Sequence, residues 1–90
     1  MTIAADVKIY TTPWCPYCIR AKKLLDSKGV PYQDFNVAYD QAMRQKLLEQ
    51  TGSRTVPQIF INNSPVGGCD DLHALDAKGE LDSLLAKAPA

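Results

Sequence analysis

Residues 7–18 read VKIYTTPWCPYC, a β-rich stretch that runs into two cysteines separated by two other residues. The alternating segment Val7 to Tyr10 predicts a strand. Pro13 and Pro16 end that strand, and the apolar residues after them recur at helical spacing. Pro16 suits the first position of a helix, where a missing N–H costs nothing, so Cys15 is the predicted N-cap. The stretch therefore predicts a strand and then a helix that begins at the cysteines.

The rest of the chain continues this alternation of strands and helices. Ala21, Leu24 and Leu25 mark the buried face of the first helix, which Gly29 ends. Next come a predicted strand at Tyr32–Val37 and a predicted helix at Asp40–Gln50. A strand at Gln58–Ile61, a turn at Asn62-Asn63 and a return strand at Pro65-Val66 then form a predicted hairpin. The chain ends with a predicted helix that Asp70 or Asp71 caps and that runs through Leu72 and Leu75, and with a last helical segment that contains Leu81, Leu84 and Leu85. A strand–helix–strand unit predicts a parallel pair, and a hairpin predicts an antiparallel one. We therefore expect an α/β fold with the order β-α-β-α-β-β-α, in which helices flank a mixed four-stranded sheet.

The composition is typical of an ordinary globular chain. A length of 90 residues leaves room for one core, so residues 1–90 are predicted to form a single domain. The 10 basic and 10 acidic residues cancel, which argues against the basic surface of a nucleic-acid-binding protein. The segment Met1–Asp6 has no basic stretch followed by an apolar core, and no apolar run approaches the length of a membrane span. We therefore expect a cytoplasmic monomer without a signal peptide or a membrane segment.

The chain has three cysteines, Cys15, Cys18 and Cys69. An odd number without a secretory signal argues against a framework of structural disulfides. Two cysteines separated by two residues, next to a strand–helix–strand pattern, are typical of a redox motif. Zinc is the alternative, since these three cysteines and His73 supply the four ligands of a tetrahedral site. Each position has another explanation, with Cys69 as a small buried thiol and His73 as a surface helix residue, so no metal is expected.

The predicted position of Cys15 suits a nucleophile. A cysteine attacks as its thiolate. At a helix N-cap its sulfur faces the free N–H groups of Tyr17 and Cys18, and these donors, together with the helix dipole, favour the thiolate. Cys18 lies one turn further along and is more shielded. We therefore expect Cys15 to attack a disulfide and Cys18 to resolve the mixed disulfide that results.

Three motifs together resemble the dithiol glutaredoxins, and the short bacterial kind most of all. They are Cys15-Pro16-Tyr17-Cys18, Thr55-Val56-Pro57 and Gly67-Gly68-Cys69-Asp70-Asp71-Leu72, and the resemblance extends from Val7 to Leu85. It implies a thioredoxin fold and a glutathione-dependent oxidoreductase that reduces protein disulfides and protein–glutathione mixed disulfides. Glutathione is then the reducing co-substrate. A ribonucleotide reductase is an example of the client proteins that the resemblance implies.

The resemblance also implies roles for residues of the first two motifs. It implies a cis peptide bond before Pro57, with the backbone N–H and C=O of Val56 facing a cleft beside Cys15. In similar proteins these groups pair with the cysteinyl backbone of glutathione like a short added strand. Tyr17 is expected to flank the ligand with its ring, and Thr55 to contact it through its backbone or hydroxyl.

The third motif is expected to receive the other end of glutathione. Gly68 lets a peptide ligand approach the backbone closely. In the family, the N–H at the position of Cys69 and the carboxylate at the position of Asp70 receive the γ-glutamyl group, because a helix N-terminus binds a carboxylate and an aspartate binds an ammonium. Asp71 is expected to support the cap of the helix rather than to contact the ligand.

The sequence departs from many glutaredoxins at Thr12. Many members carry a lysine three positions before the nucleophile, where it helps to bind the glycine carboxylate of glutathione. Here Arg54, Arg44 and Arg20 are the candidates for that cation. Trp14 is expected either to form a wall of the cleft or to act as a hydrophobic anchor.

Two other functions stay open on the residues alone. One is a thioredoxin-like carrier that a flavin reductase reduces. The other is an iron–sulfur carrier in which Cys15 of each of two chains and two glutathiones supply four thiolates to a [2Fe–2S] cluster. Pro16 argues against the second, because it keeps Cys18 close enough to compete for Cys15.

Overall fold

Strands and helices alternate in the predicted order. The computed structural model describes residues 3–89. Three residues lie outside the described residues: Met1 and Thr2, which begin the segment predicted to lack a signal peptide, and Ala90, the last residue of the predicted domain. The elements are β1 (Val7–Thr11), α1 (Pro16–Ser27), β2 (Gln33–Asn36), α2 (Gln41–Thr51), β3 (Gln58–Ile61), β4 (Ser64–Gly67), α3 (Cys69–Ala77) and α4 (Glu80–Leu85). None of the helices among residues 3–89 is long and apolar enough to cross a membrane.

The four strands form one mixed sheet in the order β2-β1-β3-β4. β1 pairs with β2 in parallel and with β3 antiparallel, and β3 pairs with β4 antiparallel. Asn62 and Asn63 adopt positive φ angles in the turn between β3 and β4, as turn residues of this kind can. The mixed sheet is therefore as predicted, although β2 is shorter than the predicted strand and all its residues are exposed at the sheet edge.

One face of the sheet carries the main core. Alternate residues of β1 and β3 point to this face and pack against α1, α3 and α4. Its fully buried side chains include Ile9, Leu25, Ile59, Leu72, Leu81 and Leu85. On the other face, the ring of Tyr10 stacks on Phe35 at 5.0 Å and meets the edge of Phe60 at 5.6 Å. Side chains packed on both faces therefore stabilise the central strands β1 and β3.

The start of α3 differs from the prediction that Asp70 or Asp71 is its N-cap. Gly68 is the N-cap, and the helix begins at Cys69. The Asp71 carboxylate turns back and accepts a hydrogen bond from the Gly68 N–H at 3.0 Å, which satisfies a donor that the helix leaves free. Gly67 makes this possible, since it has a φ of 120° and a Cβ there would lie 2.2 Å from Asp71 Oδ2. The prediction that Asp71 supports the cap is confirmed, and the prediction that either aspartate is the cap residue is wrong.

An ion-pair cluster joins the far end of α1 to the other helices of the same face. Lys28 Nζ lies 2.7 Å from Asp76 Oδ1 and 2.8 Å from Asp82 Oδ1. The hydrogen bonds to Asp76 and then Asp82 raise the pKa of Lys28 above its ordinary value. α1 and α3 are thus linked at the end remote from the cysteines, and this helps to set the distance between their N-termini.

Candidate active site

Cys15 occupies the N-cap of α1, as predicted. Its backbone is extended and Pro16 follows in the first turn. Its sulfur accepts a hydrogen bond from the Cys18 N–H at 3.2 Å. No hydrogen bond from the Tyr17 N–H accompanies it among the described residues, so one of the two predicted donors is in place. The nucleophile candidate therefore lies at the positive end of a helix of 12 residues.

The two cysteines of the motif differ in exposure and acidity. Cys15 is half-buried, whereas Cys18 is 1% exposed. Burial, and next the hydrogen bond with Cys15, raises the pKa of Cys18 to about 12. The Thr12 backbone and the Lys22 ammonium act in the opposite direction with smaller effect. At neutral pH, Cys18 is therefore a protonated thiol beneath the more accessible Cys15.

The loop before β3 faces Cys15. The Cys15 thiol donates to the Val56 carbonyl, with 3.6 Å between sulfur and oxygen, and the Val56–Pro57 peptide bond is cis, as expected. The buried Gln58 side chain supports the loop, because its Nε2 donates to the Thr55 carbonyl at 2.8 Å. The Val56 backbone therefore lies beside the sulfur, which is where the sequence motif predicts it.

A groove joins three segments that are far apart in the chain. It has a volume of about 280 Å³ and is lined by Tyr17, Thr55, Val56, Pro57, Gly68, Cys69, Asp70 and Asp71. The sheet register explains why these three segments lie close together. Tyr10 pairs with Gln58, so the end of β1 that leads to Cys15 lies beside the start of β3, and Ile59 pairs with Gly67, which brings the end of β4 to the same edge. The seven residues predicted to bind the ligand all lie in this one groove.

The three arginines proposed to replace the family lysine lie in two places. The Arg20 guanidinium is 6.0 Å from the centre of the Tyr17 ring, and Arg20 lines a neighbouring cavity together with Asp70. Arg44 and Arg54 line a different cavity, and Arg44 Nη2 donates to the Arg54 carbonyl at 3.4 Å. No acidic side chain lines that second cavity. Arg54 directly precedes Thr55 of the groove, so this pair combines a position next to the groove with an uncompensated positive charge.

The remaining candidates do not form a metal site. Within residues 3–89 no group of three or more His, Cys, Asp and Glu side chains is arranged to hold a metal ion, so Cys15, Cys18, Cys69 and His73 do not converge. Cys69 is 4% exposed, and burial raises the pKa of its thiol. His73 is exposed on α3. Cys69 is thus the buried thiol that the sequence predicts, and only its backbone is available to the groove.

Tyr39 is a neighbour of Trp14 that no sequence pattern predicts. Trp14 does not line the groove, and its ring meets the Tyr39 ring edge-on at 6.2 Å. Tyr39 lies between β2 and α2, in a stretch with no motif and no hydrophobic period. No local pattern could have placed it beside Trp14.

Comparisons with known proteins agree on one family. A family model described as Glutaredoxin matches residues 7–66. The chain is 56% identical over 80 residues to a glutaredoxin of Pseudomonas aeruginosa, which covers 89% of this chain and 95% of that protein. It is 54% identical over 81 residues to glutaredoxin 3 of Escherichia coli strain K12, and this match covers 90% of this chain and 98% of that protein. Among solved structures it is similar to a buckwheat glutaredoxin–glutathione complex, with a TM-score of 0.85, 34% identity, and coverage of 90% of this chain and 76% of that one. The expected thioredoxin fold is therefore confirmed.

Brief treatment of the reduced protein with iodoacetamide at pH 8 is expected to label Cys15 alone. Burial raises the pKa of Cys18 and of Cys69 and also restricts access of the reagent to both thiols, whereas Cys15 is only half-buried. Mass spectrometry of the intact and digested protein counts and locates the label. Cys15→Ser is the control and is expected to stay unlabelled. Labelling of Cys18 as fast as Cys15 would contradict the prediction.

Proposed function

This chain belongs to the glutaredoxin family of thiol–disulfide oxidoreductases, and from that premise we propose that it uses glutathione to reduce protein–glutathione mixed disulfides and protein disulfides. Cys15 is the nucleophile and Cys18 the resolving thiol. The observation that carries the proposal is the position of the half-buried Cys15 sulfur, 3.6 Å from the carbonyl of Val56, which lines the groove. The protein acts as a single cytoplasmic domain and a monomer, and a ribonucleotide reductase is an example of its clients.

The groove holds glutathione in an extended form across its length. The Val56 backbone pairs with the cysteinyl residue of glutathione, which puts the glutathione sulfur next to Cys15. At one end, the Cys69 N–H in the first turn of α3 receives the γ-glutamyl carboxylate, and the exposed Asp70 carboxylate receives the ammonium group. Tyr17 and Thr55 flank the ligand. The polarity of the α3 N-terminus supports this orientation of the peptide.

Gly68 leaves open space for the ligand. A Cβ at this position would meet only the Pro57 carbonyl, at the ordinary contact distance of 3.5 Å. The backbone of Gly68 is extended, with a φ of −98° that any residue adopts. Neither packing nor strain therefore demands glycine here. The preference of the helix N-cap for glycine over alanine and the close approach of a bound peptide are the remaining reasons for it.

Arg44 and Arg54 receive the glycine carboxylate of glutathione. Their cavity has no acidic lining residue, and Arg54 directly precedes Thr55, which lines the groove. Arg20 is a weaker candidate, because it shares its cavity with the Asp70 carboxylate. The two ends of glutathione thereby meet opposite charges of the protein, which fixes the direction of binding.

A mixed disulfide is reduced by two exchanges at Cys15. The Cys15 thiolate attacks the glutathione sulfur, a bond forms between these two sulfurs, and the client leaves as a thiolate that takes a proton from solvent. A second glutathione thiolate then attacks the glutathione sulfur bound to Cys15. Glutathione disulfide leaves and the Cys15 thiolate returns. Overall, the mixed disulfide and one free glutathione become the client thiol and glutathione disulfide, so the incoming glutathione is the reductant.

A protein disulfide requires Cys18 as well. Cys15 attacks one client sulfur, Cys18 then attacks Cys15, and the client leaves with both thiols reduced while a Cys15–Cys18 disulfide forms. Burial raises the pKa of Cys18, but the hydrogen bond and the charge of Cys15 also contribute. These two contributions vanish once Cys15 is bonded to a client sulfur. The pKa of Cys18 therefore falls at the step in which Cys18 must attack, and glutathione reduces the resulting disulfide.

Cys18→Ser is expected to retain most of the glutathione-dependent turnover of the mixed disulfide between cysteine and glutathione, whereas Cys15→Ser loses about a thousandfold or more. The reason is that this small substrate needs only the nucleophile. Turnover is followed by coupling glutathione disulfide formation to glutathione reductase and NADPH. A protein disulfide serves as the matched second substrate, on which both variants are expected to be inactive.

Two results would contradict this assignment. If Cys18→Ser is as inactive as Cys15→Ser on the small substrate, the route through Cys15 alone is wrong. If the wild type turns over neither substrate with glutathione, the electron donor is another molecule, and a thioredoxin-like carrier becomes the better description.

Asp70→Asn is expected to raise the KM for the cysteine–glutathione mixed disulfide about tenfold, with kcat at saturation little changed. The substitution keeps the shape but removes the charge that binds the ammonium group, and a hydrogen bond to a charged group contributes about 1.5–3 kcal/mol. Glu80→Gln is the control, since it removes an exposed carboxylate on α4 away from the groove. An equal effect of both substitutions would point to the overall charge of the protein and would overturn the role of Asp70.

Gly68→Ala is expected to lower the free energy of unfolding by less than about 1 kcal/mol, because the helix N-cap merely changes from glycine to alanine. The same substitution is expected to raise the KM for the mixed disulfide about tenfold or more, since one methyl group fills space that the ligand needs. Thermal unfolding and steady-state kinetics on one preparation separate the two effects. An unchanged KM would mean that the ligand does not approach Gly68.

A further inference from the structure

Two aromatic rings lie exposed beside the nucleophile and outside the groove. Trp14 is 69% exposed and Tyr39 is 88% exposed. Their centres are 6.2 Å apart, and their planes meet at 80°. Single exposed apolar side chains are common on proteins, but two large rings in mutual contact form a patch that needs a reason. Trp14 and Tyr39 are called the aromatic pair below.

The aromatic pair is held in place before any partner binds. Trp14 is bonded directly to Cys15, the N-cap of α1. On the other side, the Ala38 N–H donates to Asn36 Oδ1 at 2.9 Å and the Asp40 N–H donates to the Val37 carbonyl at 3.2 Å, so hydrogen bonds hold the chain on both sides of Tyr39. Asp40 also caps α2 through the Met43 N–H. A surface of this kind loses little conformational entropy when it is covered.

The position of the aromatic pair restricts what can cover it. Trp14 is the chain neighbour of Cys15, so a partner that covers its ring lies near the nucleophile. A lasting partner, such as a second copy of this chain, would block the thiol that must exchange. A polypeptide that brings its own sulfur to Cys15 has no such conflict, because its reaction requires the contact and ends it. The residues that flank its reactive cysteine then lie over the neighbouring surface.

We propose that the aromatic pair is a docking surface for polypeptide substrates, and that it favours those with an apolar, preferably aromatic, side chain near the reactive cysteine. This inference deepens the proposed function and rests on it. Rings prefer edge-to-face and offset contacts with other rings, and Trp14 and Tyr39 present both a face and an edge. The glutathione groove recognises the part that all glutathionylated substrates share. The aromatic pair distinguishes the polypeptides to which glutathione is attached.

The test compares S-glutathionylated peptides that differ in one side chain. One pair of peptides carries phenylalanine or serine two residues before the cysteine, and a second pair carries the same residues two positions after it. In at least one pair, the wild type is expected to show a kcat/KM about three- to tenfold higher for the phenylalanine peptide. Tyr39→Ala is expected to abolish this preference, and Tyr39→Phe, the matched control, to retain it. All three proteins are expected to turn over the cysteine–glutathione mixed disulfide equally, since it has no side chain that reaches the pair.

Binding is measured separately from catalysis. Trp14 is the only tryptophan of the chain, so fluorescence excited at a wavelength that tyrosine does not absorb reports on the aromatic pair. In Cys15→Ser, which cannot exchange, the phenylalanine peptide of the preferred pair is expected to shift the emission to shorter wavelength at lower concentration than its serine counterpart. Tyr39→Ala in the same background is expected to remove the difference.

Three outcomes would overturn the docking surface. The first is equal kcat/KM values for the phenylalanine and serine peptides in both pairs. The second is an emission shift that occurs at the same concentration of either peptide. A shift of the emission with protein concentration alone would mean that a second copy covers the pair. Failure of the proposed function looks different: the wild type would then not turn over the cysteine–glutathione mixed disulfide, while the fluorescence titration would still decide the docking surface.

Discussion

The hydrogen bond from the Cys18 amide to the Cys15 sulfur is the contact on which the whole site depends. A helix leaves its first N–H groups without partners, and here the sulfur of the N-cap residue takes one of them. The bond requires α1 to begin at Pro16, and α1 is held there because Ala21 and Leu25 are fully buried against the sheet. The core therefore sets the direction of the helix, and the helix sets the position and the electrostatic surroundings of the sulfur. Burial of Cys18 beneath it then makes Cys15 the more accessible of the two thiols.

The groove owes its existence to the antiparallel pairing of β1, β3 and β4. One end of each of these strands lies on the same side of the sheet, and one motif adjoins each of these ends. The cysteines follow β1, the Val56 loop precedes β3, and the start of α3 follows β4. Tyr17, Thr55, Asp70 and Asp71 line the groove with polar side chains, whereas Val56, Pro57 and Gly68 have only backbone polar groups. Such groups bind an extended peptide with little regard to its side chains. A site of this composition suits a ligand that is the same in every substrate.

Under the proposed function, selection among substrates comes from outside the groove. The aromatic pair combines one residue next to the nucleophile with one residue from the loop before α2, and it offers apolar surface where the groove offers polar groups. The contact area of two rings is small, so binding stays weak and the product leaves readily. A transient contact of this kind is compatible with an enzyme that must release each client after reduction.

Features that depend on short-range interactions can be predicted from the sequence. Pro16 after Cys15 determined the start of α1, Asp40 and Gly52 determined the ends of α2, and Asn62-Asn63 determined the turn between β3 and β4. The three motifs, through their resemblance to one family, indicated which residues would share a site. Only the tertiary structure decided that Gly68 rather than an aspartate caps α3, and that Tyr39 lies against Trp14. The reason is physical: a proline or a turn acts on its own neighbours in the chain, whereas contacts across the molecule follow from strand register and helix packing, which distant buried side chains determine together.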